Sequence, residues 1–278
     1  MTDPLVSTEW LAAHLGEVQI VDATWFMPNE GREGHADYLA AHIPGAVFFD
    51  IDAIADKTID LPHMLPTAEA FVEAAGQLGL SRDATIVTYD SFGIRSAARV
   101  WWTLRVMGFA KVFVLDGGFK KWLAEDRETE AGQGALPPTK LTPSLDAKLV
   151  RDIGAVRNLL DSKAAQLVDA RGAARFRGEV PEPRAGLRSG HMPGARNTPF
   201  DGLLNADGTM KSAGEMRPIF AAARVDLGAP IVTTCGSGVT ASVVALALAR
   251  LGREDVAVYD GSWTEWGGRS DTAVVTGP

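Results

Sequence analysis

Cysteine is almost missing from this sequence, since the 278-residue chain contains only Cys235. A single cysteine cannot form an intrachain disulfide, so the fold does not depend on an oxidising compartment, and a free thiol survives best in a reducing one. Positive charge is also in deficit, with 27 Lys and Arg against 35 Asp and Glu. The resulting net charge of -8 argues against nucleic acid or an anionic membrane as the main partner.

Long apolar runs and cofactor motifs are missing as well. No run approaches the length of a membrane span, and the N-terminus begins acidic, without the basic flank of a signal peptide. These features predict a cytoplasmic protein. No Walker loop, no G-x-G-x-x-G after a first strand and no Cys/His cluster with metal spacing occurs, so we expect neither a nucleotide nor a metal cofactor.

Internal repetition is the most informative positive feature. Three short segments recur in the same order, separated by 147, 149 and 144 positions: VDA at 21–23 and 168–170, HIPGA at 42–46 with HMPGA at 191–195, and LDGGFKKW at 115–122 with YDGSWTEW at 259–266. Such a period indicates a duplication. We predict a first domain at 1–135, a Gly-, Pro- and Thr-rich linker at 136–148 and a second domain at 149–278.

Within each half, short apolar segments alternate with amphipathic ones. TIVTYD at 85–90 and PIVTTC at 230–235 are typical of buried strands, and a helix is expected after each, in the second half from about Ala241 to Gly252. This alternation predicts an α/β fold: two tandem domains, each a mainly parallel sheet with helices on both faces. In such sheets the loops at the carboxyl ends of the strands hold the ligand.

The loop TTCGSGVT at 233–240 places Cys235 at such a strand end. Gly236 and Gly238 allow the chain to curl, so that backbone N–H groups and the helix N-terminus face a common centre and favour a negative charge there. If the thiol occupies that centre, the thiolate is favoured, and the thiolate is the nucleophile. The alternative is a buried structural cysteine, because free Cys is among the most buried residue types.

These features together resemble the tandem-domain sulfurtransferases of the rhodanese family over essentially the whole chain. The resemblance rests on the duplicated halves, the HMPGA and YDGSWTEW segments and the CGSGVT loop. Family members that use thiosulfate carry basic residues inside the loop, whereas Gly236 and Ser237 match the members that use 3-mercaptopyruvate. The resemblance therefore implies that the Cys235 thiolate takes sulfur from 3-mercaptopyruvate, releases pyruvate and passes the persulfide to a thiol acceptor or cyanide.

Aligning the halves places Asp90 opposite Cys235, so the first copy cannot form a persulfide. We therefore expect a non-catalytic first domain. It can still wall a small-molecule cleft between the domains.

The resemblance also implies substrate-binding residues. Arg175 and Arg184 in ARFRGEVPEPRAG match the arginines that bind the substrate carboxylate, for which a guanidinium fork is suited. Further arginines lie nearby and stay open as candidates, namely Arg177, Arg188 and Arg196. The remaining loop residues implied in substrate binding are Gly236, Gly238, Val239 and Thr240.

A proton relay is the last implied element. Ser237, His63 and Asp52 match the positions of a Ser-His-Asp relay proposed for the family, although His63 could be an ordinary loop histidine and Asp52 a capping carboxylate. His42 and His191 occur in both halves, which favours a structural role. We likewise expect the tryptophan pairs to be packing residues, namely Trp101, Trp102, Trp263 and Trp266.

Three alternatives remain open from sequence. A thiosulfate sulfurtransferase is disfavoured by the uncharged loop. A Cys-dependent phosphatase requires Cys-x5-Arg, and this loop has Ala241 where that Arg would stand. A non-catalytic binding module is disfavoured in the second half by Cys235 itself. The acceptor is expected to be a small thiol or a thioredoxin-like protein.

Overall fold

The structure is a computed structural model and describes residues 3–278. The chain divides into two compact units. Unit 1 contains the residues up to Asp56, then Leu65–Asp146 and the short segment Asn205–Met210. Unit 2 contains Lys57–Met64, Ala147–Leu204 and Lys211–Pro278. Each unit therefore includes one short segment from the other half of the sequence.

Unit 1 is built on a five-stranded sheet formed by described residues. Its strands are β1 (Leu5–Val6), β2 (Gln19–Asp22), β3 (Ala46–Phe48), β4 (Ile86–Tyr89) and β5 (Val112–Leu115). Its helices are α1 (Thr8–Ala13), α2 (Gly34–Ala40), α3 (Ala68–Gln77), α4 (Ser96–Val106) and α5 (Gly118–Ala124). The strand order is β1-β5-β4-β2-β3, and all pairs are parallel.

Unit 2 repeats this plan. Its strands are β6 (Val150–Arg151), β7 (Gln166–Asp169), β8 (Arg196–Asn197), β9 (Ile231–Thr234) and β10 (Ala257–Tyr259). Its helices are α6 (Ile153–Ser162), α7 (Ala173–Phe176), α8 (Ala213–Ala222), α9 (Val239–Arg250) and α10 (Ser262–Gly268). The order β6-β10-β9-β7-β8 is the same as in unit 1, again with parallel pairs.

The duplicated α/β architecture with parallel sheets is thus confirmed. β4 and β9 are buried along their whole length, as expected for central strands rich in β-branched residues. Helix starts follow capping chemistry, because Thr67 and Ser212 accept N–H groups from the first turns of α3 and α8. No helix in the described part of the chain is both long and apolar enough to cross a membrane.

The expected packing residues lie in the core. The four tryptophans named above are all nearly fully buried. His42 and His191 are buried too, and each uses Nδ1 to contact a backbone oxygen, that of Tyr38 and of Phe176 respectively. Each imidazole also stacks on the ring of the same residue. For His191, burial lowers the pKa below its usual value, in spite of the bond to the Phe176 carbonyl.

Two local expectations need correction or extension. The helix after Cys235 begins at Val239, two residues before the predicted Ala241, because Gly238 adopts a left-handed conformation (φ 78°) that ends the loop directly. The outer strands β1, β3, β6 and β8 are only two or three residues long, too short to produce a periodic signal.

The predicted linker follows unit 1 in an extended path. Thr139 donates its N–H to the carbonyl of Gly76 and its hydroxyl to that of Leu80. Asp146 donates its N–H to the Val106 carbonyl. These bonds hold residues 139–146 along unit 1, while the domain limits given above stay a prediction.

Candidate active site

Cys235 lies between the end of β9 and the start of α9 and is only 2% exposed. Gly238 caps α9, whose twelve residues direct their N-terminus at the loop. The first N–H groups of a helix have no partner within it, and together with the helix dipole they favour an anion. The thiol thus stands where negative charge is stabilised.

The loop is fastened from the other side by α10. Trp263 donates its N–H to the Cys235 carbonyl at 2.9 Å, and Thr264 donates both its N–H and its hydroxyl to the Gly236 carbonyl, at 2.9 and 2.7 Å. Because the N–H of a trans peptide points opposite to its carbonyl, the N–H groups of Gly236 and Ser237 face away from α10. The backbone dipoles are therefore fixed before any substrate binds.

Ser262 adds a contact that the sequence analysis missed. Its hydroxyl accepts the Cys235 N–H at 3.2 Å and donates to the Tyr259 carbonyl at 2.8 Å. The residue has a left-handed backbone (φ 50°), which is unfavourable for a non-glycine residue. The only signal in the sequence was the YDGSWTEW repeat, in which Ser262 stands opposite Gly118 of the first copy.

Arg175 and Arg184 converge on Gly236. A Cβ atom built on Gly236 would lie 3.3 Å from Nη2 of Arg175 and 3.8 Å from Nη1 of Arg184. Both predicted substrate arginines thus stand beside the residue that follows Cys235, and a glycine there leaves room for them.

The three other candidate arginines have different contacts. Arg177 pairs with exposed Glu179, with Nε 2.6 Å from the carboxylate. Arg188 donates to backbone carbonyls of α10 and the segment after it, including those of Gly267 and Thr272. Arg196 contacts the side chain of Gln166. These contacts favour structural roles and leave Arg175 and Arg184 as the arginines beside the loop.

His63 belongs to unit 2 and is nearly buried. Nη2 of Arg184 lies 3.4 Å from its Nε2, and because a guanidinium only donates, Nε2 is the acceptor in this contact. The His63 backbone is left-handed (φ 61°), a strain that persists only where the surroundings enforce it. The structure thus places His63 beside a predicted substrate arginine.

Asp52 and Ser237, the other two residues of the predicted relay, belong to different units. Asp52 belongs to unit 1, where its carboxylate accepts the indole N–H of Trp25 at 2.7 Å. Ser237 is nearly buried in the Cys235 loop. The relay of Ser237, His63 and Asp52 therefore stays a prediction.

The corresponding loop of unit 1 shows what this backbone can hold. The carboxylate of fully buried Asp90 accepts four backbone N–H bonds of 2.7–3.1 Å. The donors are Phe92, Gly93, Arg95 and Ala97. In the alignment of the halves these correspond to Ser237, Gly238, Thr240 and Ser242. One copy of the loop thus surrounds an anion with N–H groups, and the other copy has a thiol in the same position.

Comparison with protein families agrees with this geometry. The model of the rhodanese-like domain matches residues 7–125 and 152–269. The chain belongs to the rhodanese family.

Relatives within the rhodanese family match nearly the whole chain. The 3-mercaptopyruvate sulfurtransferase of Escherichia coli (strain K12) is 44% identical over 272 residues, covering 97% of this chain and 96% of the relative. The thiosulfate sulfurtransferase of Bos taurus is 43% identical over 271 residues, covering 94% and 91%. The crystal structure of SseA, a 3-mercaptopyruvate sulfotransferase from Escherichia coli, matches with a TM-score of 0.87 and 42% identity, covering 94% of this chain and 99% of that one.

A buried ion network lies beside Arg175 in the second rhodanese domain. Arg171, with a fully buried side chain, pairs with Asp169 at 2.6 Å and with Glu182 at 2.9 Å. Glu182 pairs in turn with Arg175 at 2.5 Å. Burial alone would lower the pKa of Arg171, but the carboxylates of Asp169 and Glu182 outweigh it and raise that pKa. Sequence reasoning had not singled out Asp169, Arg171 or Glu182 as site residues.

Proposed function

We propose that this rhodanese is a 3-mercaptopyruvate sulfurtransferase that works through a Cys235 persulfide. The observation that carries the proposal is the position of Arg175 and Arg184, whose guanidinium groups lie beside Gly236. A donor whose carboxylate binds these two cations has its sulfur directed at the neighbouring Cys235. Guanidinium groups match a carboxylate in geometry and in charge.

In the first step, the Cys235 thiolate attacks the sulfur of 3-mercaptopyruvate. An S–S bond forms, the C–S bond breaks and its electron pair leaves with the three-carbon fragment as the enolate of pyruvate. A proton then converts the enolate to pyruvate. The loop N–H groups and the N-terminus of α9 stabilise the negative charge, first on the thiolate and then on the outer sulfur of the persulfide. Ser237 and His63 are the groups proposed to handle the proton.

In the second step, an acceptor thiolate attacks the outer sulfur. The persulfide S–S bond breaks, the acceptor becomes a persulfide and the Cys235 thiolate is restored, which is a ping-pong cycle. We propose a small thiol or a thioredoxin-like protein as acceptor. A cytoplasmic location suits such acceptors, because they are kept reduced there.

Thiosulfate is the second candidate donor, favoured by the 43% identity to the thiosulfate sulfurtransferase of Bos taurus. Thiosulfate is a dianion, and the loop positions Gly236 and Ser237 provide no charge of their own. The carboxylate of 3-mercaptopyruvate requires less neutralisation. We therefore expect the higher kcat/KM for 3-mercaptopyruvate, as measured by steady-state rates with each donor and a common acceptor.

The mass of the intact protein tests the proposed chemistry directly. After mixing with 3-mercaptopyruvate and no acceptor, the chain should gain the mass of one sulfur atom, and pyruvate should be released in equal amount. The gain should vanish after addition of a thiol and should be missing in Cys235→Ser. Pyruvate release without any gain of sulfur on the wild-type protein would contradict a persulfide mechanism.

A further inference from the structure

Glu182 is a buried carboxylate that none of the proposed chemical steps uses. Its side chain is only 1% exposed. Oε2 accepts from Nη2 of Arg175 at 2.5 Å, and Oε1 accepts from Nε of Arg175 at 3.3 Å and from Nη1 of Arg171 at 2.9 Å. A buried carboxylate needs such partners, because an uncompensated charge is costly.

Arg171 fixes Glu182 from behind. Its Nε and Nη2 are bonded to Asp169, Nη2 also donates to the Gly190 carbonyl, and the guanidinium carbon lies 4.2 Å from the ring centroid of Trp263. With both the polar edges and one face of its guanidinium engaged, Arg171 has little freedom to move. Glu182 therefore holds Arg175 against a rigid base.

The edge by which Arg175 is held has a consequence for substrate binding. Glu182 takes the side formed by Nε and Nη2, and the end formed by Nη1 and Nη2 is the second edge with which a guanidinium binds a carboxylate. Nη2 is the atom that lies nearest to a Cβ atom built on Gly236. The Arg175 side chain is 30% exposed, and its side-chain hydrogen bonds to Glu182 use Nε and Nη2 and not Nη1.

We infer that Glu182 is a positioning residue, which holds Arg175 so that the free end of its guanidinium is presented to the donor carboxylate beside Cys235. This inference rests on the proposed function and adds a role for the ion network beneath the site. Arg171 supports the role, because its Nη1 donates to Oε1 of Glu182 and so fixes the carboxylate to which Arg175 is bonded. A network that served the fold alone would not need an edge of Arg175 pointing at the loop.

Glu182→Gln is the first test, because glutamine keeps the shape of the side chain and removes the charge. Arg175 should then sample orientations that do not bind the donor, and kcat/KM for 3-mercaptopyruvate should fall by about tenfold or more, mainly through KM. Alkylation of Cys235 by neutral iodoacetamide should change less than about twofold, since the loop and α9 are untouched. The matched control is Glu179→Gln, an exposed carboxylate of the same segment paired with Arg177, which should behave as wild type.

A double-mutant cycle with Arg175→Ala separates positioning from a structural role. If Glu182 acts through Arg175, then adding Glu182→Gln to Arg175→Ala should lower kcat/KM no further. If instead the two losses multiply, Glu182 acts independently of Arg175 and the inference is wrong. An unchanged KM in Glu182→Gln would overturn it equally.

Two further measurements keep the result interpretable. Should Glu182→Gln fail to fold, Glu182→Asp is assayed in the same way, because it retains the charge beside Arg171 but is too short to hold both arginines, and the same rise in KM is expected. Formation of the persulfide on the wild-type protein is measured in parallel by intact mass. Its absence would refute the proposed function, whereas persulfide formation with a wild-type KM in the variants would refute only the role of Glu182.

Discussion

The loop that follows β4 in unit 1 and the loop that follows β9 in unit 2 have the same plan but present different side chains at the equivalent position. In unit 1 the fully buried carboxylate of Asp90 is surrounded by four N–H groups. In unit 2 the corresponding residue is Cys235, and α9 begins two positions earlier than its counterpart α4. The first copy thus satisfies its own anion site with a fixed side chain. In the second copy a thiol stands in place of that carboxylate.

Backbone strain separates the two copies in the same way. In the LDGGFKKW and YDGSWTEW segments, unit 1 has left-handed Gly118 (φ 56°) where unit 2 has left-handed Ser262 (φ 50°). Unit 2 also contains His63, whose backbone is left-handed (φ 61°). Both of these residues contact the site, Ser262 at the Cys235 N–H and His63 at Arg184. At the aligned position, unit 2 thus accepts backbone strain for a hydroxyl that contacts the Cys235 loop, whereas unit 1 has a glycine there.

The largest expected effect comes from substitutions at Cys235 and Asp90, the equivalent positions of the two loops. Cys235→Ser should lose essentially all sulfur transfer while its circular dichroism spectrum and thermal midpoint stay near those of wild type, because only a sulfur atom is replaced. Adding Asp90→Cys should not restore transfer. Arg175 and Arg184 lie between β7 and β8, but residues 24–41, in the equivalent segment between β2 and β3, contain one arginine, Arg32, and it is paired with Asp37. Steady-state release of pyruvate measures both variants. Substantial turnover by the double variant would show that the loop alone suffices.

The next effect concerns stability rather than activity. Asp90→Ala leaves four N–H groups, two buried and two partly buried, without their acceptor and should lower the free energy of unfolding by about 3–5 kcal/mol, as when one partner of a buried charged interaction is removed. Cys235→Ala should cost about 1 kcal/mol, the effect of deleting one small buried group. Urea denaturation of the full chain checks both values. Equal losses in the two variants would contradict an anion site that is filled in one copy only.

The third prediction compares the contributions to stability of Asp22 and Asp169, which occupy the same position in the VDA repeat. Asp169 is paired with Arg171, whereas two residues after Asp22 stands Thr24, which donates its N–H to the carboxylate. Burial, opposed by the bonds to Thr24 and Tyr89, raises the pKa of Asp22 from 3.8 to about 6. In the folded protein the Asp22 carboxylate is therefore harder to ionise than in the unfolded chain, and stability is lost as pH rises from about 3.8 to about 6.

Asp22→Asn should remove this loss of stability with rising pH, because asparagine does not ionise. Relative to wild type, the variant should gain about 2 kcal/mol in the free energy of unfolding between pH 4 and pH 7, most of the equivalent of a pKa difference of about two units. Asp169→Asn should have the opposite sign at pH 7, destabilising by about 3 kcal/mol or more, because it breaks a buried ion pair. Urea midpoints at several pH values measure both. A pH-independent difference for Asp22→Asn would show that this carboxyl does not titrate in the window.

Much of this architecture could be predicted from sequence, because it depends on strong periodic signals. The central strands, the helices after them and the duplication follow from apolar periodicity and from three repeated segments. The side-chain network could not be predicted, because Arg171 and Glu182 lie eleven positions apart and meet only through the course of the loop after β7. His63 was named from the family resemblance, whereas Ser262 was missed; the left-handed backbone of both could not be predicted, since such a conformation at Ser or His has no signature of its own in a single sequence.

The smallest expected effect tests the space beside the thiol. Gly236 is not in the left-handed region, so Gly236→Ala introduces no backbone strain, but its Cβ would stand 3.3 Å from Nη2 of Arg175. The guanidinium must then move by a few tenths of an ångström, and we expect kcat/KM for 3-mercaptopyruvate to fall by about three- to tenfold with unchanged thermal stability. The matched control is Gly202→Ala, where a Cβ atom meets no other atom within 4 Å, and it should retain wild-type kinetics. If both variants are equally active, the gap between Arg175 and the loop does not limit donor binding, and the contrast between the two loops is confined to the residue that each presents.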